Sequence, residues 1–370
     1  MNASSSTRGT VTAPALTTPL RLGQHNMPSW DRFEAAMRDI FERRYYTNQG
    51  PLVRAFEERL QSQLRVRHAV CVTNVTIGLM MASEALGMAS PVLVPRISTS
   101  ALTHALNWCG VSTLNVEADI ASGQLDVSAC AKHANRIGRP GAIVGANLWG
   151  GACDVAALAS LAHARDVPLM FDSSEGFGVT VAGRRAGHGG ALEVFSFDAA
   201  DIVNAGGGAC VATDDDELAA RLRNIRSSYG AGRPVPVVKT SNGRMSEAQA
   251  ALGLMSLDDF DANRERNRVC FEAYSKGLHG VNGIRVVEPS GVDISNHQTV
   301  VCALDEDVAG LGLDTLVAAL ATHQIEARGI ASSWLRLPIG AHVDVEAVGR
   351  VCEAIGAALA AGATHEGAAA

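Results

Sequence analysis

Lysine is almost missing from this chain of 370 residues. Of its 31 basic residues only Lys132, Lys239 and Lys276 are lysines, so chemistry that needs a side-chain amine has three candidates. An excess of basic charge is missing too. The net charge is −7 and the pI is near 5.9, which excludes the electrostatic footprint of a nucleic-acid binder. No apolar run approaches the ~20 residues that cross a bilayer. The eight cysteines form no CxxC pair, so neither a zinc site nor a redox motif is expected, and no metal is assigned. No secretory signal is visible, and the cysteines read as reduced, buried thiols of a cytoplasmic protein.

What is present is enough apolar material for a large core. Hydrophobic residues make up 47% and charged residues 19%, which excludes a disordered or low-complexity chain. The length suits one large domain and a smaller one. Residues 1–22, rich in Ser, Thr and Ala, read as a disordered tail, and 363–370 as a second tail. Between them helical and strand patterns alternate. Phe33, Met37 and Phe41 share one helical face over 30–44, and Pro51 opens a helix to Leu64. Continuous apolar runs at 68–74, 92–95, 141–150, 168–174, 193–198 and 208–215 read as buried strands. A long helix starts at Ser246. The pattern implies an α/β fold: a large domain over 23–260 with a mostly parallel sheet covered by helices, then a smaller α+β domain over 261–362.

In such a sheet, ligands sit beyond the carboxyl ends of the strands. Four polar clusters fall there. Thr73-Asn74-Val75-Thr76 stands where a strand meets a helix N-terminus, as a phosphate cradle or an ordinary helix cap, with Asn74 and Thr76 as the contact residues. Asp172 ends the apolar run PLMFD, placed to pair with a cationic ring nitrogen or to cap the next turn. Glu175 follows in the same loop. Ser196, Asp198 and Asp201 follow another strand. Four carboxylates converging on one pocket would raise one another's pKa and supply a general acid and base. Pro95 to Thr99 is the fourth cluster. His104 is a further acid/base candidate, or a structural histidine. Gly206 to Gly208 reads as a tight turn between two strands.

Together these stretches resemble the DegT/StrS family of pyridoxal-phosphate-dependent nucleotide-sugar aminotransferases, which have the fold-type I architecture. The resemblance runs from about Thr47 to Ile355. It includes TNQGPLVRAFEERL (47–60), ANLWGGACDVAAL (146–158), FDSSEGFG (171–178), VFSFDAAD (194–201) and SNGRMSEAQAALGLMSL (241–257). It implies cofactor contacts by Asn74 and Thr76 with the phosphate, Asp172 with the pyridine nitrogen and Ser196 with the phosphate. It places Glu175 where the family has a Gln or His beside the phenolic oxygen. It implies a dimer with shared active sites, to which Asn242 would be lent by the neighbouring subunit.

Four departures fall on the same site. Asp201 stands where the resemblance places the Schiff-base lysine, and a carboxylate cannot form an imine. Val75 replaces the cradle glycine. Pro95 to Thr99 lacks the aromatic that would stack on the cofactor ring. The stretch from Gly329 to Trp334 is short where the family has a long active-site loop. The leading expectation is therefore an enzyme working without the cofactor, with Asp201 as acid or base, supported by Glu175 and Asp198, on a small-molecule substrate. Two alternatives stand beside it: a dehydratase-like enzyme using the aminated cofactor, pyridoxamine phosphate, and a non-catalytic partner of an active aminotransferase. The assembly is expected as a homodimer, with a heterodimer as the alternative.

Overall fold

The computed structural model describes residues 18–227, 233–237, 239–331 and 333–366. The expected first tail therefore lies outside the described residues up to residue 17. Its last part is corrected: Leu20 is buried against the C-terminal core, and its backbone bonds Gln324 and Glu326. The second expected tail is corrected over 363–366, which extend the last helix.

The first half alternates helix and strand: α1 (Trp30–Glu42), α2 (Pro51–Leu64), β1 (His68–Val72), α3 (Val75–Leu86), β2 (Val92–Pro95), α4 (Ser100–Trp108) and β3 (Thr113–Val116). Then come α5 (Val127–Ile137), β4 (Ala142–Ala146), α6 (Val155–Arg165), β5 (Leu169–Asp172), the short pair β6 (Thr180–Val181) and β7 (Arg184–Arg185), β8 (Leu192–Ser196), β9 (Ala209–Thr213) and α7 (Asp216–Arg226). The rest comprises α8 (Glu247–Asp258), α9 (Phe260–Gly277), β10 (Ile284–Val286), β11 (Val300–Leu304), α10 (Glu306–Ala309), α11 (Leu313–Thr322), β12 (Arg328–Ile330), β13 (Trp334–Leu337) and α12 (Val345–Glu366). The single long helix expected from Ser246 is two helices, parted at Asp259. Strand β3 and helix α5, absent from the sequence reading, complete the βα rhythm.

The large sheet runs β1-β9-β8-β5-β4-β2-β3, with β9 alone antiparallel to its neighbours. Its strands are apolar on both sides because both faces are covered. Along β1, Val70 and Val72 enter one core and Ala69 and Cys71 the other; on β8, Val194 and Phe195 divide the same way. This is the two-residue alternation of a strand. A second, antiparallel sheet, β10-β11-β13-β12, shares its own core with α9, α11 and α12. Among the described residues no helix is long and apolar enough to cross a membrane.

Phenylalanines hold the two loops that matter next. Phe177, two residues after Glu175, stands edge-on to Phe195, Phe197 and Phe260 at 5.9, 5.7 and 5.4 Å. Phe197, which opens the loop to Asp201, also meets Phe56. Gly178 lets the chain pass this cluster: its φ is +79°, and a Cβ there would lie 2.2 Å from the Phe260 ring. Phe177 is 2% exposed, so Phe177→Ala is expected to cost roughly 3–5 kcal/mol. Urea unfolding checks this, and a loss under about 1 kcal/mol contradicts the anchoring role.

Candidate active site

The parallel strands point their carboxyl ends to one edge of the sheet. Ala146 pairs with Asp172 and Asp172 with Val194, so the loops after β4, β5 and β8 leave side by side. The loop after β2 adds Thr99.

Asp172 is 1% exposed. Its Oδ2 accepts the Thr99 hydroxyl at 2.6 Å, and its Oδ1 accepts the Ser174 hydroxyl at 2.5 Å and the Ser174 N–H at 3.1 Å. Burial pushes its pKa up, and the bonds from Ser174 and Thr99 pull part of the way back. Of the two roles that the residues leave open for Asp172, the Ser174 N–H bond is the turn cap, and Thr99 donates to the oxygen that remains for a ligand.

Glu175 is also buried, and both of its carboxylate oxygens have partners. Oε2 accepts the Trp149 N–H at 2.9 Å. Oε1 lies 3.0 Å from Arg336 Nη1 and accepts the Thr299 hydroxyl at 3.3 Å. Arg336 and Thr299 belong to the second sheet and the segment leading into it.

Asp201 keeps part of its surface open. Its Oδ2 accepts the Asp198 N–H at 2.8 Å, and it bonds Ser196. Its pKa is pushed up to about 7 by burial first, with the charges of Glu175 and Asp198 acting the same way and the two hydrogen bonds opposing. A group titrating there holds both its acid and base forms at neutral pH.

The structure thus brings together Asp172, Glu175, Ser196 and Asp201. Asp198 is exposed on the turn, its carboxylate capping the Ala199 N–H at 2.7 Å. It reaches Asp201 through its backbone and its charge, so the expected convergence of four carboxylates is reduced to three. His104 is exposed on α4 and lines a separate cavity of about 740 Å³ with Asn74, Thr76 and Trp108. Asn74 accepts the Ile77 N–H at 2.9 Å, an N-cap of α3. Asn242 is exposed and bonds Arg244. Gly206 to Gly208, expected as a tight turn between two strands, are instead the last residues of the longer loop 197–208 that joins β8 to β9, with φ of +64°, +102° and +104°.

All three lysines are exposed, Lys132 on α5, Lys276 on α9, and Lys239 paired with Glu84 at 3.3 Å. Arg336, Thr299 and Trp149 have no counterpart in the sequence reading. The available signal for Arg336 is a charge inside the apolar strand WLRL.

A seven-stranded α/β domain with a small antiparallel domain, and polar residues gathered at the carboxyl edge, is the architecture of an aminotransferase-fold enzyme. The model of the DegT/DnrJ/EryC1/StrS aminotransferase family matches residues 30–334, and this chain belongs to that family. It is 26% identical over 310 residues to dTDP-4-amino-4,6-dideoxy-D-glucose transaminase of Shigella dysenteriae, covering 84% of each chain. It is 31% identical over 228 residues to GDP-perosamine synthase of Caulobacter vibrioides, over 59% of this chain and 60% of that one. The crystal structure of DesI in the presence of its TDP-sugar product superposes with a TM-score of 0.89 at 31% identity, over 95% of this chain and 97% of that one.

Two predictions follow from the carboxylates. Thr99→Val removes one of the bonds that offset the burial of Asp172. It is expected to cost about 1–3 kcal/mol at neutral pH and less in acid, where a protonated Asp172 needs no donor; urea unfolding at both pH values checks it. For Asp201 the native pKa, about 7, lies above the ordinary value of 3.8. The native protein then holds a proton that the unfolded chain has lost, so stability falls as pH rises through that window. Asp201→Asn cannot ionise, and its melting temperature relative to the parent is expected to climb from about pH 4 to about pH 7. A constant difference across that range contradicts the raised pKa.

Proposed function

We propose that this family member is an enzyme that forms no internal aldimine and transfers protons with Asp201 on a small metabolite. The observation that carries this reading is the placement of the Asp201 carboxyl at the sheet edge, held by the Asp198 N–H at 2.8 Å beside Ser196 and Glu175, where burial and the neighbouring charges push its pKa up to about 7, in a site that none of the three lysines of this chain enters.

Pyridoxal phosphate, the cofactor that the resemblance implies, does not fit the residues present. The Asp172 carboxylate already accepts three hydrogen bonds, from the Thr99 hydroxyl and from the Ser174 hydroxyl and N–H, which leaves about one of its four lone-pair sites for a ring N–H. The amine that would hold the aldehyde is not at hand, since the three lysines are exposed and Lys239 is paired. No step is therefore routed through the cofactor.

Asp201 supplies what remains. Its ionised form removes a proton from a carbon or hydroxyl of the substrate, and the acid so formed returns it to a neighbouring atom. Proton transfer next to a carbonyl group needs no further group-transfer apparatus. Ser196 orients the carboxyl, while Asp172 and Glu175 are fixed by their own partners. The relatives named above act on nucleotide-linked sugars, and this reading takes the substrate from sugar-derived metabolites.

The test combines binding and turnover. The protein is titrated with pyridoxal phosphate, with pyridoxamine phosphate, and with nucleotide-linked and free keto sugars, following absorbance and melting temperature. A ligand that binds only the native state raises stability by mass action. Neither cofactor form is expected to bind saturably. A sugar that raises the melting temperature is then followed in heavy water for exchange of a carbon-bound proton. Asp201→Asn is expected to lower that exchange by about 100-fold or more. Saturable binding of pyridoxamine phosphate overturns the proposal in favour of a dehydratase-like enzyme, and exchange unaffected by Asp201→Asn overturns the role of Asp201.

A further inference from the structure

The network around Glu175 does more than satisfy a buried charge. One short segment, 296–299, touches both loops of the site. The Asn296 side-chain amide donates to the carbonyls of Glu175 and Phe177, each at 3.0 Å. The Gln298 side-chain oxygen accepts the N–H of Ile202, the residue after Asp201, at 3.1 Å. Thr299 donates to the Glu175 carboxylate at 3.3 Å and accepts from Arg336 Nη2 at 3.2 Å. Arg336 then closes the ring with Glu175 at 3.0 Å. Beside it, the rings of Trp149, from the loop after β4, and Trp334, from β13, meet at 5.7 Å. Asn296, Gln298 and Thr299 are each at most 2% exposed.

We propose that Arg336 is a positioning residue: from the second sheet it holds the Glu175 carboxylate in place against the site, and so ties the electrostatic field at Asp201 to the seating of the small domain. This rests on the reading of Asp201 as the proton-transferring group. The charged groups facing that carboxyl are Glu175 from the loop after β5 and Asp198 from its own turn. Those facing Glu175 are Arg336 from β13 and Asp172 from the end of β5. A positive charge against Glu175 cancels part of the repulsion that it exerts on Asp201. Removing the cation exposes that repulsion, and removing the carboxylate abolishes it.

The ionisation of Asp201 can be read directly, without a substrate. The protein is labelled with ¹³C at aspartate side-chain carboxyls, and the Asp201 signal is identified by its loss in D201N. Its titration midpoint is compared in the parent, R336M, R336K and E175Q. R336M is expected to raise the midpoint by roughly half a pH unit or more, and E175Q to lower it by a similar amount. R336K keeps the charge and is expected to stay near the parent. A parent midpoint near neutrality that moves in neither R336M nor E175Q overturns the positioning role and leaves the reading of Asp201 intact. A parent midpoint in the ordinary carboxylate range overturns the reading of Asp201 itself. Should R336M fail to fold, T299V tests the same ring from its neutral member, with an upward shift expected and an unmoved midpoint counting against the proposal.

Discussion

A carboxylate taken out of water must be paired, hydrogen-bonded or protonated. At the carboxyl edge of this sheet, three carboxyl groups meet that requirement in three ways. Asp172 is held by two hydroxyls and a backbone N–H. Glu175 has an arginine, a hydroxyl and a backbone N–H. Asp201 has one backbone N–H and Ser196, with no cation in a salt bridge to it among the described residues, and its proton affinity rises accordingly. The group with the poorest compensation is the one left able to exchange a proton near neutral pH. The rest of the centre follows from the same rule, because the arginine that Glu175 needs comes from another sheet and draws the small domain onto the large one.

That dependence explains why aromatic packing is concentrated beneath the site. The loops carrying Glu175 and Asp201 diverge from adjacent strands, and each is pinned by a phenylalanine, two residues after Glu175 in one and four before Asp201 in the other. Phe177 and Phe197 meet edge to face at 5.7 Å, so displacing one loop disturbs the other. Few aromatics are available in this chain, and four of its nine phenylalanines, Phe177, Phe195, Phe197 and Phe260, are spent on this one cluster. Above it, the segment 296–299 grips the same two loops by hydrogen bonds. The acids sit between an apolar floor and a polar strap.

Local pattern made most of the large sheet's strands and the helix starts legible, because period and capping are encoded within a few residues. The position of Asp172 was legible for the same reason: a carboxylate closing an apolar strand must lie at its exposed end. Strand β3 was missed because its outer residues are only half-buried and lack the continuous apolar signal. Leu20 was missed because its partners, near Gln324, are about 300 positions away in the chain. Asp198 and Asp201 could not be told apart by spacing. They lie in one turn, and only the backbone direction after Phe197 decides which carboxyl is enclosed. Arg336 was marked locally only as a charge inside an apolar strand, and its partner Glu175, in the loop after a strand of the other sheet, was out of reach of local pattern.

The proposed reading also bears on why the changes cluster. The resemblance places a cation at position 201, and this chain has an anion there. Such a replacement alters the local charge by two units, and neighbours suited to a lysine would not suit a carboxylate. An added glutamate at 175 would worsen the repulsion unless a cation came with it, and Arg336 stands against it. A bare Asp172 would add a third uncompensated charge, and the Thr99 hydroxyl meets it at 2.6 Å. Loss of function alone requires none of these compensations, since an idle pocket lowers its energy most simply by replacing acids with apolar residues. Retaining two buried, satisfied carboxyl groups beside a third, partly open one whose pKa is pushed up to about 7 keeps a stability cost in the fold that proton chemistry would explain.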